Sequence, residues 1–135
     1  SFGVIEHQEP PTFHFWSEMH RVLKTGGLLF VDNPNPHNLR KKIYKLLGLD
    51  ENFEINSFYN QKFYFTGHYR EHSRNELIYC LKDKMELVDS GYFPFITFAK
   101  KANSSLPMRM LLVVYDLICG IFRSNLDTVY VIGKK

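Results

Sequence analysis

Arg21-Val22-Leu23-Lys24-Thr25-Gly26-Gly27-Leu28-Leu29-Phe30-Val31-Asp32-Asn33-Pro34-Asn35-Pro36 is the stretch whose reading decides the fold. A helix ending in basic residues and a glycine pair gives way at once to four apolar residues and then to a hard polar stop. Either Gly26 or Gly27 can take the left-handed conformation that closes a helix. Residues 28–31 carry no polar alternation, the pattern of a strand covered on both faces, as in the parallel sheets of α/β proteins. Working backwards, Pro10, Pro11 and Thr12 suit a first helical turn, where proline forfeits no hydrogen bond and threonine can cap free amides. At about 100° per residue, Phe15, Trp16, Met19, Val22 and Leu23 share one face, with Ser17, Glu18, Arg21 and Lys24 opposite, so the helix packs on a sheet. Residues 1–7, Ser-Phe-Gly-Val-Ile-Glu-His, read as the exit from a buried strand that lies ahead of Ser1.

With 135 residues, 44% of them hydrophobic and 16% aromatic, the chain can build one packed core. No solenoid period, low-complexity tract or Gly/Ser linker divides it, so residues 1–135 are expected to belong to a single domain. A net charge of +3 is too weak to mark a nucleic-acid surface, which needs a concentrated basic stripe. Cys80 and Cys119 have no C-x-x-C spacing and read as small buried apolar residues of a reducing compartment, which points to the cytoplasm.

Farther along, residues 37–47 suit a second helix with Leu39, Ile43 and Leu46 inward and Arg40, Lys41, Lys42 and Lys45 as a solvated face. An aromatic-rich insertion covers about 50–69, with Phe53, Phe58, Tyr59, Phe63, Tyr64 and Phe65. Its rings either wall an apolar pocket or pack on the body of the domain. Ser73-Arg74-Asn75-Glu76 is a capping box opening a helix that carries Leu77, Ile78 and Leu81 and ends near Lys82 or Lys84. A strand over 85–88 and an aromatic turn over 91–95 follow. Pro107 then opens an apolar run to residue 122, too short for the roughly 20 residues that span a bilayer. It can be a core helix, a pocket cover or a helix on a membrane surface; a polar stripe without lysines favours the core and weighs against membrane contact. Residues 128–132 close as a β-branched strand.

The segments Gly3-Val4-Ile5-Glu6-His7, Glu18-x-x-Arg21-Val22-Leu23-Lys24-x-Gly26-Gly27 and the Pro34-Asn35 turn, in that order, resemble the second half of a class I S-adenosylmethionine-dependent methyltransferase of the type 11 group. The resemblance implies an α/β fold: a partial Rossmann-like methyltransferase sheet with flanking helices, its N-terminal strands missing from this chain. It implies methyl transfer from S-adenosylmethionine to a small-molecule acceptor. Such transfer asks little beyond an in-line arrangement and, where the acceptor loses a proton, a base. The family's glycine-rich cofactor turn is not found, because no glycine here forms G-x-G after a strand. This chain alone is therefore expected to bind the cofactor poorly.

By the same resemblance, the cofactor-side role falls on Ser1, Phe2, Gly3 and Val4. Acceptor contacts fall on Asn33 and Asn35, at the carboxyl end of a strand where open α/β sheets place ligands, and on His68 and Arg70 of the Gly67-His68-Tyr69-Arg70-Glu71-His72 segment. Glu6 and His7 are the candidate base; alternatively Glu6 caps the next helix and His7 orders its loop. Some relatives hold a divalent metal with an E-x-x-E-H version of this segment. Gly3 stands where the first glutamate would be, so no metal is expected. His68 and His72 have i, i+4 spacing but precede the cap at Ser73 and make a weak pair. The rival reading is a non-enzymatic remnant, an interaction or oligomerisation module whose uncovered strand edge at 28–31 would support a homodimer.

Overall fold

The structure is a computed structural model that describes residues 1–8, 12–48, 68–94 and 105–135. After a single 3-10 turn at Ile5–His7 come helix α1 (Phe13–Val22), strand β1 (Leu28–Pro34) and helix α2 (Leu39–Leu46). Helix α3 (Arg74–Lys82), strand β2 (Glu86–Phe93), helix α4 (Leu106–Ile121), a 3-10 turn at Arg123–Asn125 and strand β3 (Thr128–Lys134) follow. Among the described residues the fold is thus mixed α/β, with one open three-stranded sheet in the order β1-β3-β2.

β3 lies antiparallel to both neighbours, pairing Val131 with Val31 on one side and with Ser90 on the other. The parallel pairing expected for residues 28–31 is therefore corrected within this sheet. The cause is local: the turn after β1 and the entry to β3 sit at the same end, joined by a 2.8 Å hydrogen bond from the Asn35 amide to the Asp127 carbonyl. β3 then has to run back along β1.

Leu29, Val31, Val129 and Val131 face Phe15 and Trp16 of α1 and Leu77 and Leu81 of α3, and these residues form the core. Gly133 is needed at this contact, since a Cβ there would lie 2.8 Å from Leu81 Cδ1. Among the described residues the opposite face of β1 is covered only in part, against the expectation. Phe30 is half-buried there, its ring stacked on Tyr130 at 5.6 Å and tilted against Phe2 at 5.0 Å, while Leu28 is exposed.

Other details also depart from the sequence pattern. Val22 is exposed at the last turn of α1, and Thr12 stands at the N-cap without a side-chain capping bond. α2 buries none of its residues: Ile43 and Leu46, expected inward, are exposed. α4 is not a core helix, because Cys119 is its one buried residue. The strand expected at 85–88 and residues 91–93 of the expected aromatic turn belong to one strand, β2, with an irregularity between Leu87 and Asp89, while Phe95 lies outside the described residues. Residues 49–67, nearly all of the aromatic insertion, lie outside the described residues.

The capping box of α3 forms as the sequence predicts, with the Ser73 hydroxyl accepting from the Glu76 amide and the Glu76 carboxylate accepting from the Ser73 amide. Those bonds hold the Glu76 carboxyl below its usual value of 4.5. A depressed carboxyl favours the folded state above its unfolded pKa, and that contribution fades as pH falls through the folded value. Ser73→Ala is expected to cost about 1 kcal/mol at neutral pH, measured by chemical denaturation. The difference from the parent should shrink under acid conditions, as Glu76 is protonated in both.

Candidate functional site

The site is built where the Ile5–His7 turn meets the carboxyl end of β1 and the segment leading into α3. Ser1 lies along the outer edge of β1: its nitrogen donates to the Phe30 carbonyl at 2.8 Å, and the Asp32 amide donates to the Ser1 carbonyl at 3.4 Å. Bonds from one residue to two residues that flank a third are the pattern of a parallel ladder, with Ser1 opposite Val31. Two residues on, the Gly3 amide donates to Asp32 Oδ1 at 2.9 Å, and Gly3 has a φ of 57°, which side-chain-bearing residues rarely adopt. The tight turn by itself accounts for glycine at this position. Asp32 is buried, and burial holds its carboxyl above the usual carboxylate range despite the Gly3 amide.

The turn then carries Glu6 inward and His7 outward. Glu6 is only 2% exposed, and among the described residues its Oε2 has no hydrogen-bond partner. Burial raises its carboxyl pKa, opposed by its own backbone amide and by the charges of His68 and His7. Its main-chain carbonyl accepts from the Tyr69 amide at 2.8 Å, which ties the turn to a segment 63 positions later in the sequence. That tie sets His68 against His7, with ring centroids 4.8 Å apart and the rings edge to face. One ligand atom each from Glu6, His7 and His68 lies within 4.8 Å of the others.

Glu71 stands behind His68, with Oε1 3.4 Å from Nδ1, and its other oxygen pairs with Lys41 of α2. A carboxylate on Nδ1 favours the tautomer whose lone pair is on Nε2. Two chemistries suit this arrangement. An exposed imidazole backed by a buried carboxylate accepts a proton and is stabilised once charged. Two imidazoles and one carboxylate, with a second carboxylate orienting one ring, also form a ligand set for a divalent cation. From the sequence no metal is expected, because Gly3 breaks the ligand pattern at the Glu6-His7 segment and His68 with His72 makes a weak pair; the structure instead sets His68, from the far side of the insertion, beside Glu6 and His7.

The remaining candidates divide sharply. Asn33 and Asn35 are buried struts. Asn33 Nδ2 donates to the carbonyls of Pro34 and His72, both at 2.7 Å. Asn35 Nδ2 donates to Ser124 and Leu126 at 2.8 and 2.7 Å, and its Oδ1 accepts from the His37 amide at 2.9 Å. They shape the turn at the strand end instead of presenting polar atoms from it. Arg70 is exposed and paired with Glu76. His72 points inward: it is buried, burial lowers its pKa, and residues 68–73 are not helical, so His68 and His72 share no helix face. Ser1 is half-buried, whereas Phe2, Gly3 and Val4 are exposed beside β1.

A cleft of about 780 Å³ opens between α1 and α3, with Thr12, Phe13, Trp16, Tyr79 and Cys80 among its walls. Gln8, Arg70 and His72, which lie near the cluster residues in sequence, also line it. Asp32 and Glu71 are the residues that sequence reasoning missed. Asp32 carried a signal, as a carboxylate at the end of an apolar strand; Glu71 carried none, since its role depends on His68 and Lys41 meeting in space.

The sequence matches no family model, and no curated protein matches it significantly.

Proposed function

We propose that this chain is the acceptor-side part of an S-adenosylmethionine-dependent methyltransferase acting on a small molecule. The observation that carries the reading is the exposed His7, backed by buried Glu6 and edged by His68, at the carboxyl end of β1 next to Ser1, Phe2, Gly3 and Val4. The sheet supports it too. A parallel neighbour on one edge and antiparallel β3 on the other would make β1 an inner strand of a mixed sheet, a form common among doubly wound folds. In such sheets ligands bind outside the carboxyl ends of the strands.

The residues of the 1–4 strip suit one wall of a cofactor site. The Phe2 ring is 72% exposed and offers a flat apolar face, and Gly3 beside it is exposed. They do not enclose a nucleoside, so the reading requires further residues of the complete protein. When bound, S-adenosylmethionine would supply the methyl group of its sulfonium, with the thioether S-adenosylhomocysteine as the leaving group. His7 accepts the proton that an acceptor hydroxyl or amine loses, and the Glu6 carboxylate stabilises the imidazolium that results. An acceptor carbon is served by the same geometry if it is acidic enough to yield its proton to an imidazole.

The rival interaction-module reading depends on an uncovered β1 edge, and Ser1 already bonds to that edge. Titration calorimetry of the complete protein with S-adenosylmethionine decides between them. A micromolar Kd is expected, together with formation of S-adenosylhomocysteine when an acceptor is supplied. Absence of heat at millimolar cofactor would remove the methyltransferase reading.

A further inference from the structure

Helix α4 is apolar nearly all round, with Leu112 among the residues on its more buried side. Its half-buried or buried positions include Tyr115, Asp116 and Cys119, whereas Met110, Leu111, Val114, Leu117, Ile118 and Ile121 are exposed, Ile121 by 75%. An apolar face of this extent, open along a whole helix, marks a surface that meets an apolar environment. At 16 residues the helix is about 24 Å long, short of the roughly 30 Å of a bilayer's hydrocarbon core. Among the described residues no helix is long and apolar enough to cross a membrane.

α2 adjoins it. Lys42 Nζ of α2 donates to Asn125 Oδ1, just past α4, at 2.6 Å, and the Arg40 main chain reaches the Tyr115 hydroxyl. The last turn of α2 adds more exposed apolar surface, with Leu46 at 86% and Leu47 at 63%. The charge on these elements is one-sided. α2, α4 and the Arg123–Asn125 turn hold six basic residues and one acidic one, against 17 and 14 in the whole chain, and of the six Lys41 is paired with Glu71. Exposed Lys42 and Lys45 stand beside the apolar surface, and Arg109 and Arg123 lie towards either end of α4.

We infer that α2 and α4 form a docking face for an anionic lipid surface, on which the protein lies without crossing. Exposed apolar side chains beside lysine and arginine are what the boundary between headgroups and acyl chains selects. Negative headgroups attract the basic residues. A second copy of the chain fits less well, because two such faces would bring like charges together. The sequence had placed 108–122 in the core and counted the absence of lysines on that helix against lipid; the structure supplies the lysines from α2.

Flotation of the purified complete protein with vesicles of phosphatidylcholine, with and without 30% phosphatidylserine (about one lipid in three), tests this. Binding to the anionic vesicles is expected, several-fold weaker on neutral ones and reduced by salt. Leu117→Glu with Ile118→Glu should lower the bound fraction about tenfold or more. Lys42→Glu with Lys45→Glu should do so on anionic vesicles only. All four positions are exposed, and an unchanged circular dichroism spectrum would show that the variants fold. No flotation with anionic vesicles would overturn the inference. So would equal flotation of parent and variants, or a concentration-dependent dimer that Leu117→Glu dissolves while lipid has no effect.

Discussion

Replacing His7 with alanine in the complete protein is expected to lower methyl transfer by about a hundredfold or more, the usual contribution of a positioned base, with cofactor affinity little changed. His68→Ala should follow it, because His68 packs on the His7 ring and shares its cluster. Glu6→Gln tests whether the buried carboxylate takes part in either chemistry. Burial raises the Glu6 carboxyl pKa, so a reaction needing the carboxylate should fail, as pH falls, at a value above its usual 4.5. Glutamine should lower the plateau. Folding moves the other way: a carboxyl with a raised folded pKa disfavours the native state wherever it is ionised, so Glu6→Gln should be no less stable than the parent at pH 7. Loss of activity with stability preserved is the signature of a working residue; loss of both would make Glu6 a structural one. Prolonged dialysis against a chelator separates the mechanisms. A proton acceptor is indifferent to it, whereas a cation held by Glu6, His7 and His68 would be stripped and activity would return with added metal. If His7→Ala and His68→Ala both turn over at the parental rate, the cluster has no part in the reaction.

What the sequence made legible was local. The capping box at Ser73 and Glu76 and the apolar strand at β1 follow from a few neighbouring residues, and both are present; α1 instead ends at an extended Leu23, and Gly26, at a φ of 78°, shapes the turn beyond it. What it hid was relative. Ile43 and Leu46 have the helical spacing of an inward face, but spacing says only that they share a side, not that anything covers it. The apolar run of α4 read as core for the same reason: hydrophobicity shows that a residue favours burial, not what buries it. The direction of β1's pairing was likewise out of reach, since the antiparallel partner lies about a hundred residues on and enters through a turn fixed by Asn35. At the site, the Glu6-His7 pair could be picked out as a candidate base because adjacent acid and imidazole suit proton transfer. Their union with His68 depends on long-range bonds to the Glu6 carbonyl, from the Tyr69 and Arg70 amides, that no local pattern encodes.

The largest effect on folding is expected at Leu81. Its side chain is fully buried and packs where α3 crosses β3, directly over Gly133. Leu81→Ala removes three heavy atoms from a place the surrounding helix and sheet cannot easily close, which should cost about 2–5 kcal/mol. Gly133→Ala strains the same contact from the other side, since its new methyl would sit 2.8 Å from Leu81 Cδ1. Over-packing of this kind costs about 1–3 kcal/mol. The double variant distinguishes packing from mere loss of hydrophobicity. With Leu81 shortened, the Gly133→Ala methyl enters vacated space, so the second substitution should be nearly free or favourable and the two costs should fall short of adding by about 0.5–3 kcal/mol. Urea denaturation of the four proteins measures that coupling. Strict additivity would mean that α3 does not rest on β3 through this pair, and with it would go the packing that carries the segment leading into α3, His68 and Glu71 included, up to the Ile5–His7 turn.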